Sequence, residues 1–348
     1  MNKKIIMAAG GSGGHLFPAL SAADCLKNEN FSISFCGVDL EKNPFFLKEK
    51  YEFKSVFGSY FSKKKILTTP LKLTVGFFQA LKYLIQEKPK LVIGFGSYHS
   101  FPAMMAAAFL RIPYVLFEPN LEMGKVNLLF KRQAKKVMTY FDLNLENQIK
   151  ILPPKKYKKF SSQEAKKSLG IDTQKPVLLI LGGSQGSLIL NESVMKLAPE
   201  TLAKYFIIHI VGKKQNLEVL ENFYRQSNID FLLLEFTDQM QEILSITQLA
   251  ISRAGASSLY ELMFYEIPTL FIPYGDSKSG HQVANAKYFC EKIHAGNLLL
   301  QSEISQEKIN QQFSLLEENH ADFQANLIKN KEDSKTEEFE EFIAQGIS

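Results

Sequence analysis

Two strand–glycine-loop–helix units, half a chain apart, constrain this sequence more than any other feature. The apolar run Lys4–Ala9 empties into Gly10-Gly11-Ser12-Gly13-Gly14-His15, and Pro18–Leu26 reads as the helix behind it. The run Val177–Leu181 empties into Gly182-Gly183-Ser184-Gln185-Gly186, with a helix expected from about Asn191. Further apolar stretches at Ser32–Cys36, Leu91–Ile93, Tyr114–Phe117, Phe206–Val211, Leu249–Ser252 and Thr269–Ile272 alternate with amphipathic segments. That is the pattern of parallel α/β sheets. The expected fold class is α/β, with two Rossmann-like domains facing each other.

The pattern breaks around Ile151-Leu152-Pro153-Pro154, ahead of a lysine-rich stretch. Domains are expected at 1–153 and 154–329, and the acidic tail from Glu332 to Phe342 reads as a terminal helix, within about 330–348, that packs back on the first domain. At 348 residues the chain is too long for one ordinary core and comfortable for two.

A glycine loop opening a helix lets a phosphate approach unpaired backbone N–H groups, with the helix dipole favouring the negative charge. Neither loop fits the dinucleotide fingerprint, since Leu16 stands where the third glycine of the first should be, and no GxxxxGK[ST] segment exists. Two more strand ends carry small polar loops: Gly94-Phe95-Gly96-Ser97-Tyr98, and Ser252-Arg253-Ala254-Gly255-Ala256-Ser257-Ser258. Ligands of open α/β sheets gather at the carboxyl ends of strands. These four loops are therefore expected to line a ligand cleft.

Composition narrows the setting. Cys25, Cys36 and Cys290 are scattered without a CxxC pair, which argues against a disulfide framework or a thiolate metal site. The six histidines show no HExxH and no close pair, so no metal is expected. The apolar start breaks at Gly10 after five residues, too few for a signal peptide, and no window supplies a spanning helix. The formal charge is +5, but residues 1–160 carry +14 and the remainder −9. An anionic partner for the first half, such as a membrane or a pyrophosphate, is one reading; solubilising lysines are the other. No module of basic and aromatic residues for nucleic acid is present.

Several residues invite chemistry. His15, at the loop end and helix start, is placed for a neutral, basic form that takes a proton from a sugar hydroxyl, or else only shapes the loop. Glu118 and Asn120 follow the strand Tyr114–Phe117; Glu118 reads as a base, an orienter of His15 or a hydroxyl acceptor. Glu261 suits the hydroxyls of a ribose, or else is a first-turn helix charge. Gln282 and Asn285 fall on one face at i and i+3, amides suited to reading sugar hydroxyls.

Six ordered blocks together resemble the MurG family: GGSGGHLFPAL at 10–20, GFGSYHSFPAMMAA at 94–107, IPYVLFEPN at 112–120, GGSQGSLILN at 182–191, SRAGASSLYEL at 252–262 and IPTLFIPYGDSKSGHQVANA at 267–286. The resemblance implies a GT-B fold and an inverting transfer of N-acetylglucosamine from UDP-GlcNAc to the C4 hydroxyl of the muramyl sugar of lipid I, giving lipid II. The acceptor is expected in the N-terminal domain and the donor in the C-terminal one, with no cofactor. Ser12, Gly13, Gly14 and Asn120 would touch the donor sugar or the acceptor pyrophosphate, and Ser184 the donor phosphates. Ala256, Ser257, Ser258 and Glu261 would hold uridine and ribose, with Thr237 beside the uracil and Gln282 on the sugar. Gly96, Ser97 and Tyr98 join Gly13, Gly14 and His15 on the acceptor side. His15 matches a histidine required near the reaction centre.

The chain departs from the family where HEQN becomes Phe117-Glu118-Pro119-Asn120 and where GNPVR becomes Leu152-Pro153-Pro154-Lys155-Lys156. Lys156 in place of the arginine turns a bidentate phosphate grip into a point charge. The GGYxS loop becomes Gly96-Ser97-Tyr98-His99-Ser100. Another GT-B transferase with a lipid acceptor, or a weakened homologue that scaffolds other cell-wall synthesis enzymes, is the alternative function. Lys63, Lys64, Lys65, Ile66 and Leu67, followed by Lys72, Phe77 and Phe78, mix basic and apolar residues as an interfacial patch on anionic lipid does. The expected location is therefore peripheral, on the cytoplasmic face of the inner membrane.

Overall fold

The computed structural model describes residues 3–11, 13–59, 68–154, 157–183, 186–212, 217–275, 280–332 and 336–347. The chain divides into two compact units, Met1–Lys156 with Lys335–Ser348, and Tyr157–Ser334. Each is built on its own wholly parallel sheet.

The first unit has strands β1 (Lys4–Ala8), β2 (Ser32–Val38), β3 (Glu52–Val56), β4 (Leu91–Gly94), β5 (Tyr114–Glu118), β6 (Val137–Thr139) and β7 (Gln148–Lys150). Its helices are α1 (Gly13–Asn28), α2 (Thr68–Glu87), α3 (Ser97–Phe109) and α4 (Lys125–Phe130). The sheet order is β3-β2-β1-β4-β5-β6-β7. β1, β4 and β5 are buried along their whole length, because helices cover both faces of such a sheet and no solvated face demands alternation. β3 and β7, at the edges, are only half-buried.

The second unit runs through α5 (Ser162–Leu169), β8 (Val177–Leu181), α6 (Leu188–Val194), α7 (Pro199–Leu202), β9 (Phe206–Ile210), α8 (Leu217–Gln226) and β10 (Asp230–Leu234). It continues with α9 (Met240–Ile246), β11 (Thr247–Ser252), α10 (Ala256–Phe264), β12 (Thr269–Phe271), α11 (His281–Lys287), β13 (Gly296–Leu298), α12 (Gln306–Glu318) and α13 (His320–Glu332). Its sheet order is β10-β9-β8-β11-β12-β13. α5 is delimited by local chemistry. Ser161 and Glu164 form a reciprocal capping box at its start, and Gly170 at φ 66° ends it in the left-handed conformation.

Each sheet encloses an apolar core, around Ile6, Ala8, Val92 and Leu116 in the first unit and Leu178, Ile180, Ile207 and Ile251 in the second. A hydrogen-bonded polar cluster lies within the second core. His209, fully buried on β9, contacts Tyr224 Oη through Nδ1 and Asn191 Oδ1 through Nε2, both at 3.0 Å. An amide oxygen only accepts, so Nε2 carries the proton and Nδ1 receives the tyrosine's. Burial holds this imidazole neutral, pushed down to about 3.

Two expectations are corrected. The first helix starts at Gly13, five residues before Pro18, which sits inside it. Proline is commonest at the first helical position, and that bias misplaces the start. The acidic tail is not one helix: Glu332 ends α13, Glu337 bridges Ile151 beside β7, and α14 spans Phe339–Ile347. α14 packs on α1 and buries Phe339 and Ile343.

Candidate active site

In each sheet the strand order reverses beside the strand that carries the glycine loop, and such a switch point opens a crevice at the strands' carboxyl ends. In the first unit that point lies at β1 and β4, paired from Ile5 with Leu91 to Ala8 with Gly94. It brings Gly10–Gly14 beside Phe95–His99, so Gly13, Gly14, His15, Gly96, Ser97 and Tyr98 share one end of the sheet. Ser12 lies outside the described residues.

His15 is half-buried, and its Nδ1 lies 2.7 Å from the Phe95 carbonyl oxygen. A carbonyl cannot donate, so Nδ1 carries the proton and Nε2 keeps its lone pair. Among the described residues nothing hydrogen-bonds Nε2. The side chain is therefore held in the tautomer that accepts a proton at the outer nitrogen. Gly14 adds an opening: a Cβ there would meet nothing within 4 Å. Packing among the described residues does not require glycine at that position.

Glu118 is expected as a base, an orienter of His15 or a hydroxyl acceptor, and its surroundings show what it holds. It is 2 % exposed, and its two oxygens receive four N–H groups. Oε1 accepts from Asn120 N and Nδ2 at 3.2 and 3.1 Å, and Oε2 from Gly124 N and Asn127 Nδ2, both at 2.9 Å. These four bonds commit Glu118 to holding Asn120 and the following turn in place. Asn127, which sequence reasoning passed over, also donates to Phe117 O at 3.0 Å, and its buried Oδ1 has no partner.

In the second unit the switch point lies at β8 and β11. Gly182, Gly183 and Gly186 end β8, and Ser184 lies outside the described residues, as does Lys156. Ala256 opens α10, followed by exposed Ser257 and half-buried Ser258. Gly255, before them, has φ −65° and open space where a Cβ would stand, so glycine again leaves room for a ligand. Glu261 lies in the second turn of α10, which removes the first-turn charge as its explanation. Thr237 follows β10, two strands out from β8, and its Oγ1 accepts from Gln239 N at 3.0 Å. Gln282 Oε1 accepts from Tyr274 N at 2.8 Å, tying α11 to the loop after β12. Asn285 is buried, donating to Ala254 O at 3.0 Å, and so braces the β11 exit where sugar reading was expected.

Arg253, which sequence reasoning passed over, organises this end of the sheet. It is 7 % exposed, and its guanidinium donates to Ile272 O at 2.7 Å, Pro273 O at 2.9 Å and Ser187 Oγ. Ser187 in turn caps α6 by accepting from Leu190 N at 3.2 Å. One buried cation thus joins the exits of β8, β11 and β12 through neutral acceptors. An arginine at a strand end was the available signal.

No group of three or more His, Cys, Asp or Glu side chains among the described residues is arranged to hold a metal ion.

Comparison with known proteins now gives the geometry a context. Residues 5–139 match the glycosyltransferase family 28 N-terminal domain, and residues 177–345 its C-terminal domain. The chain is 31% identical over 355 residues to the UDP-N-acetylglucosamine–N-acetylmuramyl-(pentapeptide) pyrophosphoryl-undecaprenol N-acetylglucosamine transferase of Chlamydia pneumoniae, covering 99% of this chain and 98% of that one. It is 35% identical over 325 residues to the transferase of the same name from Chlamydia trachomatis serovar L2, covering 90% and 89%. The crystal structure of Acinetobacter baumannii MurG superposes with a TM-score of 0.79 at 26% identity, covering 98% of both chains. Os79 from O. sativa in complex with UDP, 12% identical with a TM-score of 0.70 over 99% of both chains, shares the fold.

Proposed function

The chain belongs to glycosyltransferase family 28, and we propose from that premise how its two strand-end sites divide the work. The protein is a UDP-GlcNAc-dependent N-acetylglucosaminyltransferase that converts lipid I to lipid II in peptidoglycan synthesis. UDP-GlcNAc is the donor substrate.

The first unit takes the acceptor: its glycine loop and the α1 N-terminus meet the pyrophosphate, and Gly96, Ser97 and Tyr98 line the same end. The second unit takes the donor. Gly182–Ser187, with Ser184 and the Arg253 charge, meets the diphosphate, and Ala256–Ser258 with Glu261 meets uridine and ribose.

The observation that carries the mechanism is the tautomer of His15. With Nδ1–H given to Phe95 O, Nε2 takes the proton of the muramyl C4 hydroxyl as its oxygen bonds to the anomeric carbon of GlcNAc. The bond from that carbon to the diphosphate oxygen breaks, its electron pair leaves on UDP, and the centre inverts. The loop N–H groups and Arg253 stabilise the departing charge.

Acceptor lipid also calls for a membrane surface. α2 carries Leu71, Val75, Phe78 and Ile85 exposed along one stripe, with Phe78 60 % exposed, and Lys72 and Lys82 beside them. Phe77 is half-buried against the first core, with its ring edge-on to exposed Phe109. Lys63–Leu67 lie outside the described residues. No described helix is long and apolar enough to cross a membrane. These features support a protein held at the cytoplasmic face of the inner membrane by a lipid-facing stripe.

The test uses labelled UDP-GlcNAc and a short-chain lipid I analogue, comparing wild type with His15→Ala. Transfer and UDP release are expected from wild type, and a kcat lower by about 10²–10⁴-fold from the variant, with donor binding intact. Full activity in His15→Ala would remove the histidine from the reaction.

A further inference from the structure

His99 stands where three loops of the first unit meet. A Cβ on Gly11, whose φ is +82°, would lie 2.6 Å from His99 Nδ1 and Cε1, and one on Gly10 would lie 2.9 Å from His99 Cβ. The imidazole therefore fills the space against which the first glycine loop is folded. From the other direction Asn43 Nδ2 donates to Gly11 O at 2.7 Å, so the turn is held on two sides.

The ring itself has little freedom. Ser97 Oγ lies 2.9 Å from its Nδ1, and the Tyr98 ring packs over it with centroids 3.8 Å apart. Burial, and secondarily the nearby His15, push His99 down to about 4, with Asp39 opposing. At neutral pH it adds shape to the loop, and no charge. The segment Phe95–His99 thus serves two imidazoles: Phe95 O fixes His15, and Ser97 fixes His99.

We propose that His99 is a positioning residue for the acceptor, a mould that holds the Gly10-Gly11 turn in the shape that receives the diphosphate group. The inference rests on the acceptor's assignment to the first unit. It acts through the loop and touches none of the reacting atoms, so its loss weakens acceptor binding and leaves the donor's alone. Phenylalanine keeps a flat ring of similar size without either nitrogen, and therefore separates shape from hydrogen bonding.

The experiment measures equilibrium binding of a fluorescent short-chain lipid I analogue, without donor, to wild type, His99→Ala and His99→Phe. UDP binding by calorimetry and the thermal midpoint are measured on each. Expected are an acceptor Kd raised about tenfold in His99→Ala, UDP affinity unchanged, and substantial recovery in His99→Phe. Equal acceptor affinity in wild type and His99→Ala overturns the proposal, and so does a Phe variant as weak as the Ala variant. A parallel loss of UDP binding or a collapsed thermal midpoint in both variants also overturns it, because His99 would then support the whole unit. If wild type binds UDP but no acceptor analogue, the assignment of the first unit fails, and the proposal with it.

Discussion

At the scale of single residues, His15 and Glu118 part ways although their positions suggest the same role. Both follow strands and both are titratable, so the sequence offers either as a base. The difference lies in partners: among the described residues one carbonyl engages His15 at Nδ1 alone, whereas four N–H groups surround the Glu118 carboxylate. Such occupancy is set by the fold of distant segments and is not legible in a string of residues. Arg253 and Asn127 escaped for the same reason, since burial is what makes a polar side chain at a strand end informative. The Gly11–His99 contact makes a prediction at this scale. Gly11→Ala is expected to destabilise by about 2 kcal/mol, partly from a left-handed backbone and partly from the ring 2.6 Å away. In a His99→Ala background the second part disappears, so a double-mutant cycle by urea unfolding should return a coupling of about 1 kcal/mol. A coupling of zero would show that the two do not press on each other.

Among elements, the longer buried strands were readable, whereas the edges and the short buried strand β6 (Val137–Thr139) were not. Val177–Leu181 matches β8, because a strand covered on both faces is continuously apolar. β3, as EFKSV, and β7, as QIK, resemble loops, since edge strands carry polar residues that solvate their outer side. Helix α2 has the opposite quality, being more apolar outside than a solvated helix should be. Replacing Leu71 and Phe78 together by serine is expected to lower partitioning onto anionic vesicles about tenfold. The thermal midpoint should hardly change, because both side chains already face outward. Unaltered partitioning in a sedimentation assay would show that the stripe does not meet lipid. Charge reversal at Lys63–Lys65 addresses the basic share of the same contact.

For the whole molecule, the GT-B pairing of two Rossmann-like folds was legible because the same strand-to-glycine transition occurs twice. Acid sensitivity was not, because it depends on how deeply one histidine of each unit is buried. His99 and His209 are held down to about 4 and about 3, against 6.5 for an ordinary imidazole. Above pH 6.5 both states of the chain hold these rings neutral, and the stabilisation is complete. As pH falls below 6.5 the unfolded chain takes up protons that the folded one refuses, so stability declines towards the folded values. Between pH 6.5 and 5, before most carboxylates titrate, His209 alone should contribute about 1 kcal/mol per pH unit. His209→Gln is expected to flatten the fall in thermal midpoint across that window, and an unchanged slope would remove His209 as its source.

The return of α14 to α1 has a consequence for synthesis. Because Phe339 and Ile343 complete a surface that begins near Gly13, the second unit is an insertion in the first. On the ribosome, Tyr157–Ser334 can close its sheet while α1 still waits, uncovered, for a helix more than 300 residues downstream. The half of the chain made first is finished last, and its exposed face in that interval is where a chaperone would be needed.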